Sequence, residues 1–262
     1  MSFLTSSAAN VWTVHPDRVS LVRPAQPAIV VRVDAQPAPL EIDLARTALM
    51  VVDMQNDFCH PEGWFGCTGK FSERVRQPIP VIKAISDQLR AAGARIVWLN
   101  WGIRADRANL PPGVLYRGKR RDGDTGYGET PDNGHGPAVV QGTWGAALVD
   151  ELSPAALDLQ VYKHRLSGFQ DNELDSVLRQ AGITTLLFAG VNLDRCVFST
   201  LQDAGFLGYD CVLIEDACAT PSPQYVSDAI LFLVRELHGF TLNSTDLSRA
   251  ISFSSLHLQE SP

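Results

Sequence analysis

Apolar positions fall along this chain in two rhythms that alternate. Short unbroken runs, at 47–54 (TALMVVDM), 95–101 (RIVWLNW), 158–163 (DLQVYK), 186–191 (LLFAGV), 211–214 (CVLI) and 240–243 (FTLN), are separated by stretches with helical spacing. Continuous apolar runs of this length suit strands covered on both faces. The helical spacing predicts a helix over 78–92, with Ile79, Ile82, Ile85 and Leu89 on one face and Gly93 as its stop. Further helices are predicted over 143–152, over 172–180 with Asp171 as N-cap and Gly182 as stop, and over 194–206. In that last one Cys196, Val197, Leu201 and Ala204 share a face, and Gly208 ends it. A helix over 222–237 should turn Tyr225, Ala229, Phe232, Leu233 and Leu237 inward, and one over 245–251 should open on a Ser/Thr cap. Strands alternating with helices predict a three-layer α-β-α domain built on a mostly parallel six-stranded sheet.

Two stretches keep neither rhythm. Residues 1–44 carry Pro16, Pro24, Pro27, Pro37 and Pro39, a density that breaks regular structure, although the alternation near Val31 allows a short edge strand. They are read as an N-terminal arm, packed on its own domain or on a neighbouring subunit, in front of a domain at 45–262. Residues 102–142 are rich in Gly, Pro, Asp and Arg, and connections this long serve as lids, binding loops or oligomer contacts.

Composition narrows the class. The 262 residues are 45% hydrophobic and 19% charged, enough for one large α/β domain with a sizeable core. A net charge of −7 argues against nucleic acid or an anionic membrane as partner. Five cysteines without CxxC spacing fit a reduced, cytoplasmic protein, and no apolar run approaches the roughly 20 residues that span a bilayer. The start of the chain lacks the pattern of a signal peptide. Phosphate-binding GxGxxG and P-loop motifs are absent, as is a G-x-S-x-G elbow. The six histidines show no paired spacing for zinc, so neither cofactor nor metal is expected.

In an open parallel sheet, ligands bind beyond the carboxyl ends of the strands. Asp53 ends the first core strand, Lys163 the third, and Cys196 follows the fourth. A helix start stabilises negative charge, so a cysteine there is expected to have a lowered pKa. Together the three residues supply a base, a cation and a nucleophile. Backbone N–H groups of Asn192 and Cys196 would serve a tetrahedral oxyanion. Taken singly, each has a plainer reading: a turn-capping aspartate, a solvated lysine and a core cysteine.

Three stretches carry a resemblance: Ala48 to Phe58 (ALMVVDMQNDF), Lys163 with Ser167-Gly168-Phe169, and Ala189 to Val197 (AGVNLDRCV). From about Thr47 to Ile251 the chain resembles the isochorismatase-like cysteine hydrolases. Leu193 stands where that family usually has threonine. The resemblance implies Asp53, Lys163 and Cys196 as catalytic triad and a cis peptide between Val191 and Asn192. It also implies a homo-oligomer, commonly a tetramer. Cys196 disfavours isochorismatases proper, and Leu99-Asn100-Trp101-Gly102-Ile103 lacks the histidine of the nicotinamidase metal cluster. The chain looks most like the branch that hydrolyses ureido or carbamoyl C–N bonds, acting on ureidoacrylate, biuret, triuret or N-carbamoylsarcosine. Phe58 and Leu166 replace tyrosines of the ureidoacrylate enzymes. With Trp64 and Trp101 as walls and Glu236 reaching in from the late helix, that pocket would suit a compact, neutral ureide such as biuret or triuret. The alternatives are a nicotinamidase-like amidase and a non-enzymatic scaffold on the same fold.

Overall fold

The structure, a computed structural model, describes residues 2–4 and 10–259. The remaining residues of the arm and of the C-terminus lie outside the described residues. The chain begins with a small antiparallel sheet, β1 (Ser2–Leu4), β2 (Trp12–Val14) and β3 (Val19–Ser20). A hairpin follows, β4 (Val30–Val33) and β5 (Leu40–Asp43), with Val31, Val33 and Ile42 turned inward. Near its turn, Gln36 exchanges two backbone hydrogen bonds with Thr241 at 2.8 and 2.9 Å. This part of the arm therefore packs on its own domain and covers the edge of the outermost strand, which would otherwise offer unpaired N–H and C=O groups.

The main sheet comprises β6 (Thr47–Val52), β7 (Arg95–Trp101), β8 (Leu159–Lys163), β9 (Thr185–Val191), β10 (Asp210–Ala219) and β11 (Phe240–Leu242). The order is β11-β10-β9-β6-β7-β8, and every neighbouring pair is parallel. All of β6 and β9 is buried, as their unbroken apolar runs predict. The chain starts at the centre, moves outward through β7 and β8, then returns to the other side of β6. That reversal places the topological switch point between β6 and β9.

The helices are α1 (Asn56–Cys59), α2 (Trp64–Cys67), α3 (Pro78–Ala91), α4 (Pro112–Gly118), α5 (Leu174–Gln180), α6 (Phe198–Phe206), α7 (Gln224–Leu233) and α8 (Ser244–Gln259). On one face of the sheet, α3 packs across its strands beside α8, burying Ile79, Ile82, Ile85 and Leu89. On the other, Gly168 sits against Leu99 and the α5 residue Leu174, and its N–H bonds Thr200 of α6.

Several expectations are corrected. Residues 143–152 form turns, not a helix, because their carbonyls serve the loop after β6: Gln55 and Asn56 side chains donate to Ala146 and Trp144, and the Asp57 N–H to Gly145. Asp171 does not cap α5. It adopts φ 63° and pairs with His164 and Arg165, while Asn172 accepts the Leu174 N–H. The predicted 222–237 helix forms as α7 continued by a π-helical turn, Val234–His238, but it turns Tyr225, Ala229, Phe232 and Leu237 to solvent and buries Ile230 and Val234 instead. Ser244, at the start of α8, gives its hydroxyl to Asp216 instead of capping.

Candidate active site

Four adjacent strands end on one patch. Asp53 follows β6 with φ 52°, a left-handed conformation that aspartate tolerates better than most residues. Its backbone N–H bonds Leu99, and its Oδ1 accepts the Trp101 N–H at 3.1 Å. Trp101 and Lys163, the last residues of β7 and β8, are direct register partners. The Lys163 ammonium lies 2.9 Å from Asp53 Oδ2. Beyond β9 the chain passes through a cis peptide between Val191 and Asn192 into a wide π-helical turn, Leu193–Val197, which carries Cys196 before α6 begins. Such widened turns recur at functional sites. Gly190 makes the approach possible: at φ 114°, a Cβ there would stand 2.1 Å from the Val52 carbonyl.

Asp53, Lys163 and Cys196 come together and are sealed, at 2%, 0% and 6% exposure. Cys196 lies within hydrogen-bonding reach of the Asp53 carboxylate, and the Trp101 indole N–H donates to its sulfur at 3.4 Å. The expectation of an acidic thiol is corrected. Burial, reinforced by the Asp53 charge, pushes Cys196 up to about 12 against the opposing pull of Lys163 and the Trp101 N–H. Burial also raises Asp53, while Lys163, Cys196 and the Trp101 N–H pull it back. With the thiol raised this far, the arrangement favours proton transfer to Asp53 during attack over a standing thiolate.

Around this group the aromatic residues pack in a chain. Phe58 meets Phe65 and Trp64, and Trp64 contacts Tyr127 with ring centroids 5.1 Å apart. Tyr127 then stacks on Trp101 at 5.0 Å and 23°. Leu166 is half-buried beside the core. Glu236 does not join: it is exposed in the irregular turn that follows α7, two positions beyond the buried Val234. Tyr127 went unnoticed in the sequence because the 102–142 stretch has no periodicity to place it. Asp57 is a second omission. Its buried carboxylate accepts the N–H groups of Trp64 (2.9 Å) and Val139 (2.6 Å), anchoring the end of that loop to the strand-end patch.

A family model described as the isochorismatase domain matches residues 47–243. The chain belongs to the isochorismatase family. Within that family, ureidoacrylate amidohydrolase RutB of Caulobacter segnis is 34% identical over 229 residues, covering 87% of this chain and 94% of the relative. RutB of Azorhizobium caulinodans is 34% identical over 219 residues, or 83% and 96% of the two chains. The fold is shared with N-carbamoylsarcosine amidase from Thermoplasma acidophilum, 26% identical with a TM-score of 0.59 over 76% of this chain and 96% of that one. An isochorismatase family protein from Desulfovibrio vulgaris has a TM-score of 0.64 at 28% identity, covering 79% and 98%.

Proposed function

We propose that this amidohydrolase cleaves a C–N bond of a small ureido or carbamoyl compound through a thioester on Cys196. The observation that carries the reading is the contact of Asp53, Lys163 and Cys196 at the ends of β6, β8 and β9. Asp53 takes the thiol proton as Sγ attacks the carbonyl carbon. The oxyanion forms against the backbone N–H groups of Asn192 and Cys196. Asp53 returns the proton to the departing nitrogen, releasing ammonia or an amine. It then takes a proton from water, whose oxygen attacks the carbamoyl thioester and expels the Cys196 sulfur, which regains that proton. Lys163 holds the carboxylate in place throughout. Similarity to RutB and to N-carbamoylsarcosine amidase supports a ureido substrate. Asn192 adds weight, since its Oδ1 is buried and without a partner among the described residues. A buried acceptor of that kind is costly, and a substrate N–H would satisfy it.

This reading includes a reducing, cytoplasmic setting in which Cys196 stays a thiol, and a homo-oligomeric assembly such as a tetramer. Among the described residues, no helix is long and apolar enough to cross a membrane. The test is ammonia release from ureidoacrylate, biuret, triuret, N-carbamoylsarcosine and nicotinamide by the wild type and by Cys196→Ala. We expect a ureide to be turned over and the variant to lose at least about a thousandfold in kcat. Near wild-type turnover in Cys196→Ala overturns covalent catalysis, and turnover of nicotinamide alone overturns the ureide.

A further inference from the structure

Trp101 was expected to be a pocket wall, but it touches every member of the reacting group. Its backbone N–H donates to Asp53 Oδ1 at 3.1 Å and to Gln55 Oε1 at 2.8 Å. The Lys163 ammonium stands 4.3 Å from the centroid of its ring. Its indole N–H points at the Cys196 sulfur, 3.4 Å away. The rings of Trp101 and Tyr127 are stacked, so the aromatic surface is already engaged by a cation and a second ring. Trp101 is 2% exposed, which leaves little of it to act as a wall.

We infer that Trp101 is a fourth catalytic residue, whose indole N–H stabilises the negative charge that develops on the Cys196 sulfur during attack and departure. This rests on the reading of Cys196 as nucleophile. When Asp53 removes the thiol proton, the S–H electron pair becomes the S–C bond, and sulfur carries most of the charge between those two events. When the thioester breaks, the same pair returns to sulfur. A donor fixed on sulfur is worth more to the anion than to the neutral thiol, because hydrogen bonds to charged groups are the stronger ones. Lys163 favours the sulfur anion through its charge, but the hydrogen bonds of its ammonium go to Asp53 at 2.9 Å and the Arg165 carbonyl at 3.4 Å, whereas the indole N–H bonds the sulfur itself. The backbone bonds of Trp101 to Asp53 and Gln55 lock the position of the residue, so the N–H is aimed before substrate arrives.

Two replacements test this. Trp101→Phe keeps an aromatic ring for Lys163 and Tyr127 but has no N–H. Substitution of Trp101 by β-(3-benzothienyl)alanine exchanges only the N–H for sulfur. Each is compared with wild type in kcat and KM on the preferred ureide, and in the rate at which iodoacetamide alkylates Cys196, followed by mass spectrometry of its peptide. The expected result is a fall of about tenfold or more in both kcat and alkylation rate, with KM close to wild type. A raised KM with unchanged alkylation overturns the inference and returns Trp101 to the role of wall. If Trp101→Phe does not fold, the benzothienyl variant decides. Retained turnover in Cys196→Ala would be a separate failure, of the nucleophile itself, and the alkylation rates would still report on the indole–sulfur bond.

Discussion

In the proposed mechanism Asp53 acts as a base while shut away from water. Burial raises its pKa, and Lys163 at 2.9 Å opposes that rise. Cys196, pushed up to about 12, keeps its proton until Asp53 takes it. The proposed mechanism needs ionised Asp53 beside neutral Cys196. Acid protonates Asp53, so kcat/KM should fall as pH drops through its raised pKa, above the ordinary 3.8. Alkali adds little, because the thiol stays protonated well beyond neutrality. A pH–rate profile should show one acid limb and then a plateau. A climb of about tenfold per pH unit across that plateau would mean that a free thiolate carries the reaction.

Strand β9 lies so close to β6 at Gly190 that a methyl group has no room beside the Val52 carbonyl. The residue after Val52 is Asp53, so spreading the strands there moves the base. Gly190→Ala adds both that clash and a side chain at φ 114°, and should cost at least about 2 kcal/mol of stability. Denaturant unfolding checks this, and an unchanged midpoint would refute the close-approach argument. The six strands and α3 were legible because their apolar pattern is continuous or strictly periodic and their ends carry stops such as Gly93. Residues 143–152 were not, since bonds from Gln55, Asn56 and Asp57 override a local helical tendency. Periodicity grouped Tyr225, Phe232 and Leu237 on one helix, but it cannot say which face of a helix meets the core. Asp53, Lys163 and Cys196 were legible as strand ends. The Cys196 titration was not, because burial in the finished fold outweighs the helix start.

Exposed apolar side chains at the end of α6, on α7 and in the turn after it matter to the molecule as a whole. Phe206, Tyr225, Phe232 and Leu237 are 76%, 72%, 61% and 70% exposed. An apolar surface of this kind is characteristic of contact faces. Under the proposed oligomer, light scattering should give a multiple of the 28.6 kDa chain mass, and Phe232→Glu should lower it. A mass of 28.6 kDa for the wild type would end that proposal. The attachment of the 102–142 loop has a longer reach. The residues proposed to break the bond sit on strand ends that the whole sheet holds in place, whereas Tyr127 belongs to a separate stretch fastened near its far end through Val139 and Asp57. Under the proposed function, a change in that stretch would alter what packs around Tyr127 without moving the strand ends that carry Asp53, Lys163 and Cys196.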